Sequence, residues 1–483
     1  MPINLNAALS WKSATPDEQR MLQALQGNIL KGHGRKFTAN ILFKLDPAKS
    51  LESKRLLREL ANHHLTNAHQ QLLDTERLQT TGVGGSAFAH LALSAKGYVA
   101  LGMAAGAPTD ADFQAGMKAA ASVAALADPV VANWEAPFQQ DLHGVVLAAD
   151  ENESKTASLA RALEGLIVDA GGTVVHVQHG KALFNGAGVG IENFGYVDGR
   201  SQPLMLQEDI DEESQKAGRL RWDPGFTLGA ALVKDPGTAD PNSFGSFFVF
   251  RKLEQDVRGF KTREQQVADV LGLTGEDREL AGALIVGRFE DGTPVTLSKE
   301  ARGAAPPNDF DYTGDAGKRC PLHAHIRKSN PRGSGGAEPE AAERGHLMPR
   351  RGIPYEDVKR VFHPDELPEG ESLAEFTAKV APLLPTGGVG LLFMAYNSLI
   401  AKQFKFTQQI WVNNTNFPLV PAGAHGIDPV IGQGAATPNH QKLPKDWDNP
   451  AAGNANNVSF AGFVKMKGGE YFFSPSLTFL KDL

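Results

Sequence analysis

Residues 320–332 combine side-chain types that can bind a metal ion. The segment contains the only cysteine, Cys320, together with His323, His325 and three basic residues, and Pro331 ends any helix within it. A haem needs one axial histidine, while its opposite face stays open for a reactant. Because His323 and His325 are two residues apart, they would point the same way on a strand, so a His-x-His site for a catalytic divalent metal is a rival interpretation. Ordinary buried or surface histidines are a third interpretation.

An acid, Asp198, lies inside a turn framed by Gly195 and Gly199. Asp-Gly is a frequent turn pair because glycine accepts a positive φ, so a purely structural turn is one interpretation. The other interpretation is catalytic. Placed over an iron-bound peroxide, Asp198 would move a proton between the two oxygens as a general acid–base group.

The adjacent Arg350 and Arg351 supply the cation that such an acid needs nearby. A guanidinium stabilises the charge that develops on the outer oxygen while the O–O bond breaks. An Arg-Arg pair is otherwise a common solvated or ion-paired surface feature, so the pair alone does not decide between the two interpretations.

The first half of the chain, residues 1–206, has the pattern of a split β-α-β fold. Thr15 and Glu18 form a capping box before a short helix, and apolar residues alternate from Phe37 to Leu45 as in a strand with one buried face. The elements predicted after these are a helical region at 50–79, a strand at 88–93, a helix capped by Ser94, a strand at 142–149, a helix at 159–170 and a strand at 174–183. This order predicts a ferredoxin-like unit, with helices on one face of an antiparallel sheet.

The second half, residues 207–483, repeats this plan in pattern. Its acidic run at 208–214 predicts a linker or surface excursion. The elements predicted after it are a strand at 246–251, a helix near Thr262 with Gln265 in a capping box, a hairpin turning at Asp291-Gly292 between strands at 284–289 and 295–297, a strand at 390–396 and a helix from Asn397-Ser398 to Trp411. Residues 421–457 lack periodicity and are rich in Gly, Pro, Asn and Ala, which predicts a long loop.

Length and composition limit the class of protein. A chain of 483 residues predicts two domains or one large fused α+β unit with room for a large cavity. The formal charge of -7 disfavours nucleic acid and anionic lipid as partners. A single cysteine excludes an internal disulfide framework, and no apolar run reaches the roughly 18 residues of a membrane span. With no secretory signal pattern at the N-terminus, the sequence predicts a cytoplasmic location.

Several of these segments together resemble the dye-decolourising peroxidases, although each is weak alone. The segments that carry the resemblance are GYVDG at 195–199, FVFRKLEQD at 248–256, CPLHAHIRKSNPR at 320–332, RRGIPY at 350–355, GLLF at 390–393 and QQIWVN at 408–413. The similarity extends from about residue 27 to the end of the chain.

The resemblance implies two ferredoxin-like domains of the dimeric α/β-barrel type, with haem b between sheet and helices. It implies His325 as the proximal iron ligand, in preference to His323. It further implies Asp198 as the distal acid–base residue, Arg350 as the distal cation, and Leu391 and Phe393 as residues lining the distal face. Arg351 is the poorer candidate for the cation. Some members have an asparagine where Gly352 stands, so the second polar distal group expected from them is missing.

The activity implied is reduction of hydrogen peroxide through a ferryl intermediate, with organic reductants such as phenolics and bulky dyes as donors. Such donors would give electrons at the haem edge or through a surface aromatic, for which Trp134, Trp222, Trp411 and Trp447 are available. The alternative is a haem-binding or haem-transfer protein with incidental peroxidase activity. A homo-oligomer is compatible with either.

Overall fold

The computed structural model describes residues 2–303, 306–367, 372–434, 440–455 and 458–483. Its main feature is one antiparallel sheet. The strands of this sheet are β1 (Phe37–Lys44), β2 (Phe88–Leu93), β3 (Gly144–Asp150), β4 (Thr173–Lys181), β5 (Val233–Lys234), β6 (Phe244–Gln255), β7 (Ile353–Glu356), β8 (Val389–Asn397) and β9 (Val464–Ser474).

The strand order shows the internal repeat that the sequence pattern predicts. The order is β4-β1-β3-β2-β9-β6-β8-β7, with the short β5 beside β6. Numbered within its own half, each set of four long strands has the order 4-1-3-2, which is that of a ferredoxin-like unit. The chain is therefore an α+β protein of two ferredoxin-like halves. The boundary after residue 206 falls in the connection between β4 and β6 and stays a prediction.

The two halves share one sheet. Leu93 of β2 pairs with Phe473 of β9 at the centre. At the outer edges β4 approaches β7, where Gln178 Nε2 donates to Asp357 Oδ1 at 3.1 Å, and a Cβ on Gly180 would lie 2.6 Å from Ile353. The outer strands thus meet and close the sheet into a barrel.

Helices cover the outside of this barrel. They are α1 (Pro16–Ala24), α2 (Ser50–His63), α3 (Ala68–Thr81), α4 (Ala95–Ala100), α5 (Ala111–Ala115), α6 (Ala120–Leu126), α7 (Ala136–Gln139), α8 (Glu153–Asp169), α9 (Gln207–Ala217), α10 (Val257–Leu271), α11 (Glu279–Val286), α12 (His325–Ser329), α13 (Glu340–Arg344), α14 (Leu373–Glu375), α15 (Phe404–Phe406) and α16 (Leu477–Asp482). In the described part of the chain no helix is long and apolar enough to cross a bilayer.

Most predicted elements of the first half are present. The capping box is confirmed, since Thr15 N donates to Glu18 Oε2 at 2.8 Å. Ser94 caps α4 by accepting from Gly97 N. The helical region at 50–79 is two helices, α2 and α3. The prediction of one buried face for β1 is wrong: its six central residues are all buried, because α8 covers one face of β1 and the barrel interior the other.

Three predictions in the second half are wrong. The acidic run at 208–214 is not a linker: it is part of the helix α9, which does lie at the surface as the alternative prediction had it, and Glu208 Oε1 accepts from Ser10 Oγ at 2.8 Å. Thr262 lies inside α10, whose N-cap is Asp256. The hairpin turn at Asp291-Gly292 exists, but residues 284–286 are helical in α11, because a short buried apolar run fits either element.

The segments after β8 agree with the sequence only in part. Asn397 Oδ1 accepts from Phe404 N at 3.1 Å, so the helix begins at Phe404 and continues as a π-helical segment, Thr407–Val412. Within 421–457, a two-residue ladder joins Leu443–Pro444 to Asn454–Ala455, a single 3₁₀ turn covers Pro450–Ala452, and the other described residues are irregular. Residues 435–439 and 456–457 lie outside the described residues.

Candidate active site

A cavity of about 1750 Å³, including its open mouth, lies between the sheet and the helices. Both halves of the chain line it, and the structure brings all the predicted site residues to its wall: Asp198, His325, Arg350, Leu391 and Phe393. Segments up to 195 residues apart in sequence therefore form one site.

His325 is the first residue of α12. Its Nδ1 lies 2.8 Å from Asp428 Oδ2, and a quarter of its side chain is exposed, whereas that of Asp428 is fully buried. Burial lowers the pKa of His325, but the charge and hydrogen bond of Asp428 together raise it above its usual value. With Nδ1 engaged, Nε2 is the ring nitrogen left for a ligand in the cavity.

Asp428 is held as an anion. Burial would raise its pKa, but His325 and the amides of Ile431 and Val430 lower it below the usual value. The two amide nitrogens donate to Asp428 Oδ1 at 2.9 and 2.8 Å, which leaves Oδ2 for the imidazole. The carboxylate is thus built to orient a histidine.

Sequence reasoning missed Asp428. It lies 103 residues after His325, in the loop predicted at 421–457. A single aspartate before a proline in a Gly- and Pro-rich segment gives no pattern that distinguishes it from an ordinary turn residue.

His323 does not face the cavity with His325. It precedes α12, is 1% exposed and leaves Nε2 without a hydrogen-bond partner. Burial lowers the pKa of His323 to about 3. The described residues contain no cluster of three or more His, Cys, Asp or Glu side chains able to hold a metal ion. The divalent-metal interpretation therefore finds no support.

Asp198 is held by a tight loop at the cavity wall. Its backbone N donates to Gly190 O at 3.1 Å, and its Oδ1 accepts from Gly199 N at 2.6 Å. Gly195 and Gly199 have φ values of 100° and 75°, which explains why glycine frames the acid. Asp198 itself is exposed.

The two neighbouring arginines have different surroundings. Arg350 lines the cavity, and its guanidinium donates to Arg200 O at 2.9 Å. Burial lowers the pKa of Arg350, and the charge of Asp198, which lines the same cavity, opposes this shift. Arg351 instead donates to Asn28 O and Ile29 O at 2.8 and 2.9 Å. Its guanidinium therefore anchors the N-terminal segment.

One face of β8 supplies an apolar wall. Leu391 and Phe393 point into the cavity, whereas Leu392 is buried on the other face. Gly352 also lines the cavity, where a Cβ would be 3.3 Å from Leu392 O. The wall at this point carries no polar side chain from residue 352.

Two buried arginines line the same cavity without a counter-charge. In the described part of the chain, Arg288 and Arg332 have no carboxylate within salt-bridge distance, and both donate to Asn308 Oδ1, at 2.8 and 3.0 Å. Burial lowers their pKa values, to about 9 for Arg288 and about 10 for Arg332. Because unpaired buried cations are costly, an anionic ligand would stabilise both.

Cys320 and three of the four named tryptophans are buried. Cys320 is a buried free thiol, and burial raises its pKa to about 12. Three of the four named tryptophans, Trp134, Trp222 and Trp411, are at most 3% exposed. Trp447 is partly buried, and its Nε1 donates to Val295 O at 2.9 Å. Only Trp447 of these four has an accessible ring.

Comparison with known proteins agrees with this geometry. A family model described as the DyP dimeric alpha+beta barrel domain matches residues 24–182. The multifunctional dye peroxidase DyP2 of Amycolatopsis sp. is 47% identical over all of both chains. The chain belongs to the dye-decolourising peroxidase family. It is 32% identical to the dye-decolorizing peroxidase msp1 of Mycetinis scorodonius, over 99% of this chain and 90% of that protein.

Solved structures of dye-decolourising peroxidases have the same fold. DyP2 from Amycolatopsis superposes with a TM-score of 0.91 at 46% identity over all of both chains. The DyP-type peroxidase of Anabaena sp. gives 0.86 at 36% identity, covering 100% of this chain and 99% of the other. The chain is thus a peroxidase of this family, which is haem-dependent.

Proposed function

We propose that the chain binds haem b in the cavity and reduces hydrogen peroxide with electrons from organic donors such as phenolics and bulky dyes. The observation that carries this proposal is the placement of His325. An imidazole at the cavity wall, hydrogen-bonded through Nδ1 to a buried carboxylate, is the arrangement expected of an axial ligand. We assign His325 Nε2 as the atom that binds the iron.

The remaining walls fit the other parts of a haem. Leu391 and Phe393 match the apolar porphyrin face. Arg288 and Arg332 match its propionate carboxylates, because among the described residues these cations have no carboxylate within salt-bridge distance. The residues present therefore fit this cofactor.

Bound haem supplies the iron at which peroxide is reduced and the oxidising equivalents that donors consume. The chain supplies the proton transfer. The carboxylate of Asp198 accepts a proton from one oxygen of hydrogen peroxide and returns it to the other, which leaves as water. The guanidinium of Arg350 stabilises the negative charge on the departing oxygen. Its hydrogen bond to Arg200 O fixes it beside the acid.

The class of electron donor is inferred from the names of related proteins and from the exposure of the tryptophan side chains. The relative DyP2 carries the name multifunctional dye peroxidase, which supports dyes as donors. Since Trp134, Trp222 and Trp411 are buried, a bulky donor would react at the cavity mouth or at Trp447. The cytoplasmic location and a homo-oligomeric state remain predictions from the sequence.

A haem-transfer function is disfavoured by full-length similarity to peroxidases. Haem exchange separates the two functions. A transfer protein would release haem readily to apomyoglobin and turn over slowly with every donor, whereas a peroxidase would retain haem and oxidise dyes with repeated turnover.

The decisive experiment measures the absorption spectrum of the haem-loaded chain and the rate of its reaction with peroxide. The purified chain, reconstituted with haemin, should show a Soret band, and its absorbance change after mixing with peroxide should be about 10²–10⁴-fold slower in Asp198→Asn, with haem content unchanged. Asp277→Asn, at an exposed position in a short helix, is the matched control. Failure to bind haemin would overturn the cofactor assignment, and an unchanged rate in Asp198→Asn would move the proton transfer to another group.

A further inference from the structure

Lys328 is a buried lysine on the same short helix as His325. It is 0% exposed, and its Nζ donates to two backbone carbonyls, Asn414 O and Gly426 O, both at 2.6 Å. Burial lowers the pKa of Lys328 to about 7. Because an amine donates hydrogen bonds in either protonation state, these contacts persist when the charge is lost.

The two carbonyls belong to segments that hold Asp428 between them. Asp428 N donates to Val412 O at 2.9 Å, which joins the segment at 412–414 to the segment at 426–428. Lys328 contacts each segment two residues from that hydrogen bond. One side chain therefore ties both segments to α12, the helix that carries His325.

We propose that Lys328 is a positioning residue that fixes the hydrogen bond between His325 and Asp428, and through it the electron density that His325 gives to the iron. The inference rests on the proposed ligation of haem by His325. The strength of a hydrogen bond depends steeply on distance and angle. A carboxylate partner raises the basicity of a ligating histidine, and a more basic axial ligand lowers the reduction potential.

A purely structural role would give a different result. Removing the amine leaves two buried carbonyls unpaired, which lowers stability whatever else Lys328 does. The midpoint potential of the iron and the iron–histidine stretching frequency change only when the ligand itself is affected. These two quantities distinguish positioning from stabilisation.

The test uses Lys328→Met in the full-length, haem-loaded protein. Methionine keeps an unbranched side chain and removes the donor. We expect a higher ferric/ferrous midpoint potential and a lower ferrous iron–histidine stretching frequency in resonance Raman spectra, both in the direction given by Asp428→Asn. Wild-type values of both quantities in Lys328→Met would overturn the inference.

Lys252→Met is the matched control. Lys252 has a side chain that is 2% exposed, is ion-paired with Glu135 and Asp357, and does not line the cavity. Its loss should reduce stability but leave the potential and the stretching frequency unchanged.

Two further measurements keep the outcomes distinct. If Lys328→Met does not take up haem, Lys328→Gln replaces it, because glutamine retains a shorter donor that cannot span both carbonyls. Lys328→Gln should shift the midpoint potential and the stretching frequency in the same direction but by less. Unchanged values would again overturn the inference. Absence of an iron–histidine band in the wild-type protein would instead contradict ligation by His325.

Discussion

His325 Nδ1 and Asp428 Oδ2 lie 2.8 Å apart at the wall of the cavity, and the second oxygen of Asp428 accepts from two backbone amides. The carboxylate is thus held in place independently of the histidine. It fixes the ring orientation and the tautomer, so that Nε2 is presented to the cavity before haem binds.

Asp428→Ala should weaken haemin binding because it removes this support. We expect the affinity for haemin to fall about 10–100-fold, the usual effect of losing a partner of a ligating histidine. Titration of the apoprotein with haemin measures this affinity. His325→Ala should lose more affinity than Asp428→Ala, and equal affinity in wild type and Asp428→Ala would contradict the assignment.

The adjacent arginines should give separable defects. Arg350→Leu should slow the reaction with peroxide about 10²–10³-fold at normal haem content, because it removes the cation beside Asp198. Arg351→Leu should leave that rate near wild type and lower the urea midpoint of unfolding, because Asn28 O and Ile29 O lose their donor. Stopped-flow absorbance and urea unfolding measure the two effects. The reverse assignment of defects would show that Arg351 is the distal cation.

Arg332→Met should reduce haemin affinity by about 10–100-fold, the effect expected for one charge-assisted hydrogen bond. The affinity should fall because the Arg332 cation has no carboxylate partner among the described residues and is predicted to bind a propionate of haem. Haemin dimethyl ester, which lacks the propionate charge, provides the control ligand. Wild type and Arg332→Met should bind the ester with similar affinity, and a difference as large as that for haemin would assign Arg332 a purely structural role.

The buried His90 should make the folded protein less stable in mild acid. Its Nδ1 donates to Gly27 O at 2.9 Å, and its Nε2 lies 2.7 Å from Ser474 Oγ. Burial lowers the pKa of His90 from 6.5 to about 4. Between these values the unfolded chain takes up a proton that the folded chain does not, so stability falls as the pH drops from 6.5 to 4, by on the order of 3 kcal/mol from this residue.

Urea unfolding between pH 7 and pH 4 measures whether the free energy of unfolding falls as the pH drops. His90→Gln should be less stable at pH 7 and should lose less of its remaining stability in acid than the wild-type protein. The exposed His63 supplies the control variant, His63→Gln. Parallel pH profiles for His90→Gln and wild type would contradict the interpretation.

The parts of the site that could be predicted were those carried by contiguous motifs. Asp198, His325 and Arg350 each lie in a segment whose residue types suggest chemistry, and the structure brings them to one cavity. Asp428 could not be predicted, because its role depends on the path of a loop that has no periodicity. Lys328 appeared in sequence only as one of three basic residues, since nothing local indicates that its partners are distant carbonyls.

The ferredoxin-like fold class was predictable from the sequence, but not every strand was: β7 and β9 of the second half were not among the predicted elements. Alternation in β1 predicted a strand, but its second buried face comes from closure of the barrel, which involves residues far away in sequence. The apolar run in α11 fits a strand as well as a buried helix. The acidic run in α9 predicted a linker or surface excursion, and its helix could not be inferred because the contact between Glu208 and the N-terminal segment is distant in sequence.

Asp198 comes from the first ferredoxin-like half of the chain, whereas His325 and Arg350 come from the second. All three line the cavity, so neither half holds a complete reaction centre. A chain cut after residue 206, which leaves Asp198 in the first fragment, would therefore gain peroxidase activity only when the two fragments reassemble. Dye oxidation would then serve as a reporter of their association.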